Sequence, residues 1–406
     1  MQNSTEYNLN TVEEAILAIK EGKAVIVADN EDRENEGDLV CAGEKITPAL
    51  INFMATEARG LICMPVSVEI AKKLDFELMT YKTTDSKETA FTVSIDGSPE
   101  NGVSTGISAE DRANTILMCT KPETTANCFR RPGHIFPLIA KDGGVLKRNG
   151  QTEASVDLAI LAGLKAVGVI CEILNPDGTM ARRPELMEFR KKFNIPFITV
   201  EQIIEYRLKT ELAIKREAEA KLPTKFGEFS VYAFNELISK KEHLALCYGD
   251  WKSEKSVLVR SHSECLTGDA LGSLRCDCNS QLQESMRKIA ENGSGVLIYL
   301  KQEGRGIGLT NKIKAYALQD NKGLDTFEAN RALGFADDIR EDWVGSHILK
   351  DLGITNIKLM TNNPSKIKDF EKFGITVSER IPLICINEEN KDYLEAKRVQ
   401  HNHLIV

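Results

Sequence analysis

The sequence predicts a combined α/β and α+β fold, with two unrelated mixed α/β domains in one chain. Its 406 residues are enough for about two to three domains that each bury a core. Short apolar runs alternate with helical patterns in both halves, which is typical of helices layered on sheets. The halves share no repeat and no motif. We therefore expect one domain at residues 1–207 and another at residues 208–406.

In the first half, apolar runs predict strands at 24–28, 60–65, 91–95, 167–174 and 196–200. In the second half they predict strands at 256–259, 296–300 and 357–360. A charged helix is predicted over 201–222, because glutamate and lysine recur four residues apart and the pattern stops before Pro223. This helix would lie at the domain boundary.

Composition excludes several classes of protein. Hydrophobic residues make up 42% and charged residues 28%, as in folded globular chains. The net charge of −8 gives no general attraction to nucleic acid. No apolar stretch reaches the roughly 18 residues that cross a membrane, and residues 1–10 lack a secretory signal pattern. We therefore expect a cytoplasmic protein without nucleic-acid or membrane partners. Its ten cysteines are too sparse for a disulfide scaffold.

Three cysteines cluster in the second half: Cys265, Cys276 and Cys278. Three thiolates suit Zn²⁺ and leave the fourth tetrahedral position open for water, as in catalytic zinc sites. Two other interpretations remain open. A structural zinc could be completed by a distant ligand such as His262 or His347, or the three could be core cysteines without a metal.

Two segments that follow predicted strands suit phosphate groups. Residues 302–308 combine three glycines with Arg305, so that backbone amides can approach an anion. Residues 361–366 offer a hydroxyl and a cation. Each could also be a tight turn with a solvated charge. Together with the cysteine cluster, they favour a nucleotide substrate.

Segments 260–278, 302–309, 325–330 and 361–366 resemble those of GTP cyclohydrolase II, and the resemblance runs from about residue 223 to the end. It implies hydrolysis of GTP to 2,5-diamino-6-(5-phosphoribosylamino)pyrimidin-4-one in riboflavin biosynthesis, with release of formate and pyrophosphate. It also implies that the three cysteines hold one zinc ion. The residues implied to contact GTP are Arg260, Ser261, His262, Ser263, Glu264, Gln281, Glu303, Gly304, Arg305, Tyr316, Thr326, Thr361 and Lys366.

Asp338 and Arg340 form a further pair in this half. The resemblance implies that Asp338 is a proton acceptor and Arg340 a nucleophile toward the α-phosphate. From chemistry alone, Arg340 would be a phosphate clamp oriented by Asp338, because a guanidinium is almost always protonated. A surface charge pair is the third interpretation. Trp343 lies one residue further from Arg340 than the usual aromatic of that family.

An acidic segment at 29–38 follows the first predicted strand and carries six carboxylates in ten residues. Such a density of like charges indicates a solvated loop or a divalent-cation site. A calcium-binding EF-hand that starts at Asp32 is excluded, since Gly43 occupies the position of its bidentate glutamate.

Segments 32–38, 106–112, 129–134, 148–153 and 177–182 resemble 3,4-dihydroxy-2-butanone 4-phosphate synthase, over about residues 8–207. The resemblance implies conversion of ribulose 5-phosphate to that product and formate, with Mg²⁺ or Mn²⁺, in a homodimer. It assigns catalysis to His134 and Glu172 and a metal contact to Glu34. The residues implied to line the substrate site are Arg33, Glu34, Glu36, Asp38, Cys63, Arg148, Thr152 and Glu172.

One position departs from the synthase pattern. Gln151 stands where that family has a histidine that binds metal. An amide oxygen is a weaker ligand than imidazole and does not accept a proton near neutral pH. We therefore expect the first domain to be a weak or inactive synthase and the second to be an active cyclohydrolase. The alternatives are a fully bifunctional enzyme and a catalytically silent protein that binds nucleotide.

Overall fold

The computed structural model describes residues 8–384 except 32, 337 and 339. The chain divides into two compact units, Met1–Arg207 and Leu208–Val406. Each unit contains a seven-stranded mixed sheet with helices. The predicted fold class is thus confirmed. No helix among the described residues is long and apolar enough to span a membrane.

The sheet of the first unit has the order β4-β5-β3-β6-β2-β1-β7. Its β1/β7 and β3/β5 pairs are parallel, and its other pairs are antiparallel. The strands are β1 Val25–Ala28, β2 Gly37–Ala42, β3 Cys63–Val66, β4 Ile95–Gly97, β5 Phe129–Ile139, β6 Gly168–Glu172 and β7 Phe197–Thr199. The helices are α1 Val12–Lys20, α2 Pro48–Phe53, α3 Val68–Lys73, α4 Ala109–Met118, α5 Gln151–Leu161, α6 Arg183–Phe193 and α7 Val200–Thr210.

The first sheet is covered on both faces. In β1, Val25 and Val27 belong to one apolar cluster, and Ile26 and Ala28 belong to another. Successive strand residues point to opposite faces, so a strand buried on both sides must be apolar at every position. This is why β1 is an unbroken apolar run in the sequence.

The sheet of the second unit has the order β14-β13-β11-β12-β10-β9-β8. Strands β12, β11, β13 and β14 are parallel, while β8, β9 and β10 extend the sheet in antiparallel pairs. The strands are β8 Ile214–Thr224, β9 Gly227–Glu236, β10 Glu242–Tyr248, β11 Val257–Ser263, β12 Gly295–Leu300, β13 Asn356–Met360 and β14 Thr376–Ile381. The helices are α8 Leu266–Asp269, α9 Cys278–Asn292, α10 Gly308–Lys322, α11 Thr326–Ala332, α12 Trp343–Asp351 and α13 Pro364–Lys372. The carboxyl ends of β11, β12 and β13 therefore meet at one edge, where α/β sheets commonly bind ligands.

The helix predicted over 201–222 is wrong beyond Thr210. Helix α7 ends there, and Ile214–Thr224 forms edge strand β8. Only Ile214 of β8 is buried, so the strand lacks the apolar alternation that would reveal it. Arg216 instead lies over the rings of Tyr232 and Phe234 of neighbouring β9. Backbone pairing with β9 along its length makes this segment a strand, and the local sequence pattern does not show that pairing.

Most other predicted strands are present with shifted ends, as β1, β3, β6, β7, β11, β12 and β13. Residues 91–95 are an exception, because they form only isolated bridges before β4 begins at Ile95. Strands β2 and β5 contain Asp38 and His134, which the sequence places in a loop and at a turn. Asp32 of the predicted acidic loop lies outside the described residues.

Candidate active sites

The three clustered cysteines converge in the second unit. Cys265 follows β11, while Cys276 and Cys278 lie at the start of α9. The Sγ atoms of Cys265 and Cys276 are 3.7 Å apart, and all three lie within 4.8 Å of one another. A tetrahedral zinc ion with bonds of about 2.3 Å places its sulfur ligands roughly 3.8 Å apart. The thiols therefore fit a zinc ion.

Neither histidine considered as a distant fourth ligand joins this group. His347 is buried, with Nδ1 accepting from the backbone of Ala213 at 3.1 Å and Nε2 2.7 Å from the Leu208 carbonyl oxygen. His262 directs Nε2 toward Asp269 Oδ2, at 3.1 Å. In the part of the chain that the structure describes, the three cysteines are the only group of three or more His, Cys, Asp or Glu side chains whose ligand atoms lie close enough together to hold a metal ion. Three protein ligands with an open fourth position are typical of catalytic zinc.

Lys312 is a member of this site that sequence reasoning missed. Its Nζ donates to Cys265 Sγ at 3.0 Å and to Glu303 Oε1 at 2.7 Å. Hydrogen bonds from Cys276, Cys278 and Lys312 lower the pKa of the Cys265 thiol. Lys312 lies inside α10, 47 positions from Cys265, and no local pattern links the two.

Asp269 was also missed. It accepts hydrogen bonds from the backbone of Cys265 at 3.0 Å and from the Tyr299 hydroxyl at 2.8 Å. Since it also contacts His262, Asp269 holds the first cysteine and the histidine in fixed positions. Burial lowers the pKa of His262, so its neutral form is favoured.

A cavity of about 700 Å³ opens beside the cysteines. Its lining includes the three cysteines, every residue that the sequence assigns to GTP, and Asp338 with Arg340. The cavity lies at the carboxyl ends of β11, β12 and β13, so residues more than 100 positions apart share one wall. Its volume suits a nucleotide-sized ligand.

Cations of two kinds line the cavity. The Arg305 guanidinium stacks on the Phe327 ring, with 4.0 Å between its central carbon and the ring centroid. Lys366 Nζ is buried 3.3 Å from both Asp342 Oδ1 and the Ser261 carbonyl oxygen. Burial lowers the pKa of Lys366. Both cations are held in place where an anionic ligand would contact them.

Several polar atoms around the cavity are buried without a hydrogen-bond partner among the described residues. They are His262 Nδ1, Ser263 Oγ, Gln302 Oε1 and Arg305 Nη1. A buried polar atom that lacks a partner costs about 1–3 kcal/mol. A ligand with matching donors and acceptors would remove that cost, so the cavity is built to bind a polar molecule.

Asp338 and Arg340 form an ion pair at the cavity wall. Arg340 Nε donates to Asp338 Oδ1 at 2.8 Å, and its Nη2 donates to Oδ2. Burial raises the pKa of Asp338, but the hydrogen bonds and the charge of Arg340, together with the charge of Arg305, outweigh burial and lower this pKa below its usual value. The carboxylate thus fixes the guanidinium plane. Tyr316 also lines the cavity, where its hydroxyl lies 3.4 Å from Thr267 Oγ1.

In the first unit, Arg33 occupies the centre of the acidic segment. Its Nη1 donates to Asp29 Oδ2 at 2.8 Å, Glu34 Oε2 at 2.9 Å and Gln151 Oε1 at 3.1 Å. A guanidinium therefore lies among the oxygens that would have to hold a metal ion. In this arrangement, Glu34 and Gln151 do not fit a divalent cation, because Arg33 supplies the positive charge between them.

A second group of acidic side chains lies on β2 and β6. Asp38 pairs in register with Glu172, and the backbone of Leu61 donates to Glu172 Oε2 at 2.9 Å. Burial and the Glu172 charge raise the pKa of Asp38 well above its usual value. Burial likewise raises the pKa of the Cys63 thiol and of Glu36. The structure thus brings Asp38, Glu172 and Cys63 together.

Two further predicted residues of the first unit, His134 and Arg148, are paired within the protein. His134 Nδ1 lies 2.7 Å from Asp96 Oδ2, and Asp96 Oδ1 accepts from the backbone of His134 at 2.9 Å. Arg148 donates to Glu153 at 2.6 Å. Thr152 is buried in the first turn of α5. Strand β3 separates the His134 strand from the Glu172 strand, and no described hydrogen bond joins these two residues.

The chain is similar to known proteins over its whole length. It is 53% identical to the riboflavin biosynthesis protein RibBA of Aquifex aeolicus over 406 residues, which cover 100% of both chains. It is also 53% identical to RibBA of Bacillus subtilis over 396 residues, covering 97% of this chain and 98% of that one. A crystal structure of RibBX, a two domain 3,4-dihydroxy-2-butanone 4-phosphate synthase from A. baumannii, superposes with a TM-score of 0.67. That comparison has 34% identity and covers 92% of this chain and 99% of that chain.

Two α/β units with these sites define a two-domain enzyme. Family models match 3,4-dihydroxy-2-butanone 4-phosphate synthase at residues 13–206 and GTP cyclohydrolase II at residues 215–382. The chain belongs to the RibBA family of riboflavin biosynthesis proteins, with the synthase domain first and the cyclohydrolase domain second. The resemblances seen in the sequence are confirmed.

Proposed function

We propose that the second unit is a zinc-dependent GTP cyclohydrolase II. It converts GTP to 2,5-diamino-6-(5-phosphoribosylamino)pyrimidin-4-one and releases formate and pyrophosphate. The observation that carries this proposal is the convergence of three thiols and the strand-end residues on one cavity. Cys265, Cys276 and Cys278 would hold a zinc ion, which would supply a Lewis acid and an activated water for attack on C8 of guanine.

The other residues around the cavity bind and orient GTP and accept a proton. Arg305 and Lys366 offer fixed positive charges to the triphosphate, since both are held by neighbouring groups. Asp338 orients Arg340 toward the α-phosphate, and its lowered pKa keeps the carboxylate ionised. In that form it is available to accept a proton. Tyr316 and the unpaired atoms of His262 and Ser263 face the nucleotide.

We further propose that the first unit binds ribulose 5-phosphate but converts it slowly. Gln151 stands at the family's metal-binding histidine and accepts a hydrogen bond from Arg33 instead. A Mg²⁺ or Mn²⁺ ion near Glu34 would have to displace that guanidinium and would gain only an amide oxygen in return. We therefore expect this unit to bind its metal ion weakly and to have a low synthase activity, although the acidic groups of β2 and β6 remain in place.

Formate release by the full chain tests both proposals, because both reactions produce formate. We expect release from GTP with Zn²⁺ and little release from ribulose 5-phosphate with saturating Mg²⁺. Gln151→His should raise the second rate by about 10- to 100-fold and leave the first unchanged. Gln151→Ala is the matched control, since it frees Arg33 without supplying an imidazole.

Each alternative has its own outcome in this assay. Comparable formate from both substrates in the unaltered chain would mean that a glutamine suffices, and the enzyme would be fully bifunctional. GTP that binds without being consumed would indicate a silent nucleotide-binding protein. We also propose that the chain is a homodimer, which sedimentation velocity at several concentrations tests directly.

A further inference from the structure

Lys312 is buried beside the three cysteines, with only 9% of its surface exposed. A buried ammonium requires paired acceptors, because an isolated charge is costly to remove from water. Its two acceptors are Cys265 Sγ at 3.0 Å and Glu303 Oε1 at 2.7 Å. Lys312 thus connects a thiol of the cluster with the glycine-rich segment that follows β12.

The Glu303 carboxylate accepts three hydrogen bonds within the protein, one of them from Lys312. Its Oε1 also accepts from the backbone of Gly304 at 3.0 Å, and its Oε2 accepts from the backbone of Leu266 at 2.5 Å. Leu266 directly follows Cys265 in the chain. Glu303 and Lys312 therefore hold the Cys265 segment through two independent contacts, one at its backbone and one at its sulfur.

We infer that Lys312 is a positioning residue that reduces the electron donation of the Cys265 thiolate to the zinc ion, with Glu303 as its counter-ion. A charge-assisted hydrogen bond draws electron density from the sulfur. Three thiolates also give a divalent ion an excess of negative charge, which a nearby ammonium offsets. The ion would remain a stronger Lewis acid than three unmodified thiolates allow. This inference rests on the proposed zinc site.

Cobalt substitution of the full chain gives a readout that does not depend on turnover. Thiolate-bound Co²⁺ has a sulfur-to-metal charge-transfer band whose energy falls as the sulfur becomes a stronger donor. In Lys312→Met, the metal should stay bound and the band should move to longer wavelength. With zinc, kcat for GTP should fall about 10- to 100-fold while KM stays nearly unchanged. Lys314→Met is the matched control, since Lys314 is exposed on the same helix, and it should change neither quantity.

Glu303→Gln supplies an opposite prediction. It removes the counter-ion, so the ammonium should donate more strongly to Cys265 and the band should move to shorter wavelength. Opposite shifts in the two variants are not expected from a merely structural role. An unchanged band in both variants, shifts of the same sign, or loss of the metal from both would overturn the inference. If the unaltered chain binds no metal, the proposed zinc site itself fails, which is a separate result.

Discussion

The two active sites differ in how their polar groups are satisfied without a substrate. In the second unit, His262 Nδ1, Ser263 Oγ and Gln302 Oε1 are buried around the cavity with no described partner. In the first unit, Arg33 already donates to three oxygens, and His134 is already paired with Asp96. In the proposed cyclohydrolase site, these atoms await a ligand in a formed cavity. In the proposed synthase site, a substrate that contacts Arg33 or His134 would replace internal contacts.

This difference has an energetic consequence. Hydrogen bonds to charged groups contribute about 1.5–3 kcal/mol each, so a ligand that displaces Arg33 from its carboxylates must replace those bonds. A ligand that enters the cavity of the second unit instead forms hydrogen bonds with buried atoms that have no partner, and each such bond adds to its affinity. We therefore expect substitutions in the two units to have separate effects on the two formate-producing reactions.

The largest separation is expected from Cys276→Ser. A serine hydroxyl is a poor zinc ligand, so zinc content should fall and formate release from GTP should drop by at least about 100-fold. Release from ribulose 5-phosphate should not change. Zinc analysis and the formate assay measure both effects, with Cys128→Ser as a control because that cysteine lies outside the cluster. Undiminished GTP turnover would show that the cysteines are not the catalytic centre.

Arg305→Lys tests whether the second site is organised in advance. Lysine keeps the charge but loses the planar group that stacks on Phe327. We expect KM for GTP to rise about tenfold or more, which corresponds to roughly 1.4 kcal/mol. The exposed Arg287 of α9 serves as the control, and Arg287→Lys should leave KM unchanged. Equal KM values in the two variants would contradict this role for the stacked guanidinium.

Asp96→Asn probes the internal pairing of the first unit. The buried carboxylate fixes His134 through both its backbone and Nδ1, and an amide cannot accept from both as strongly. In a Gln151→His background, we expect formate release from ribulose 5-phosphate to fall about tenfold. The rate of GTP turnover should not change. The control Asp142→Asn, at an exposed position, should change neither rate. A full synthase rate in Asp96→Asn would mean that the pair does not orient a catalytic histidine.

Asp38→Asn should produce the smallest effect, on stability. Burial raises the pKa of Asp38. The protonated carboxyl therefore contributes to stability below the pKa of the unfolded state, which is about 4, and this contribution is lost as pH rises through the pKa of the folded state. Asparagine does not titrate, so the variant should become more stable relative to the unaltered protein as the pH is raised from about 4 to about 8. Denaturation curves at the two pH values measure this gain. A stability difference that does not vary with pH would contradict it.

The site of the second unit could be predicted because its chemistry is concentrated after strands. The cysteines and the segments at 302–308 and 361–366 combine unusual residue types with short spacing. The parallel strands then bring their carboxyl ends to one edge, as the fold class implies. Lys312 and Asp269 could not be found in this way. In the sequence, neither differs from an ordinary charged residue on or beside a helix, because its role depends on tertiary contacts.

The first unit was predicted less completely for a related reason. Strand β2 is buried throughout, yet it begins with Gly37 and Asp38, which are the last two residues of the acidic segment and are predicted as part of a loop. The sequence indicates the departure at Gln151 but not its partner, because Arg33 lies 118 positions away. Local patterns identify residue types, whereas the pairing of charges depends on the folded sheet.

Edge strand β8 also determines how the second unit can be separated from the chain. Its exposed side chains include alternating charges and Pro223, which discourage pairing of sheet edges between molecules. In a fragment that starts at about residue 225, β9 would become the edge strand. The rings of Phe234 and Tyr232 would then lose the Arg216 side chain that lies over them. Such a fragment would be prone to self-association. An isolated cyclohydrolase unit should therefore begin before Ile214, so that β8 protects the sheet.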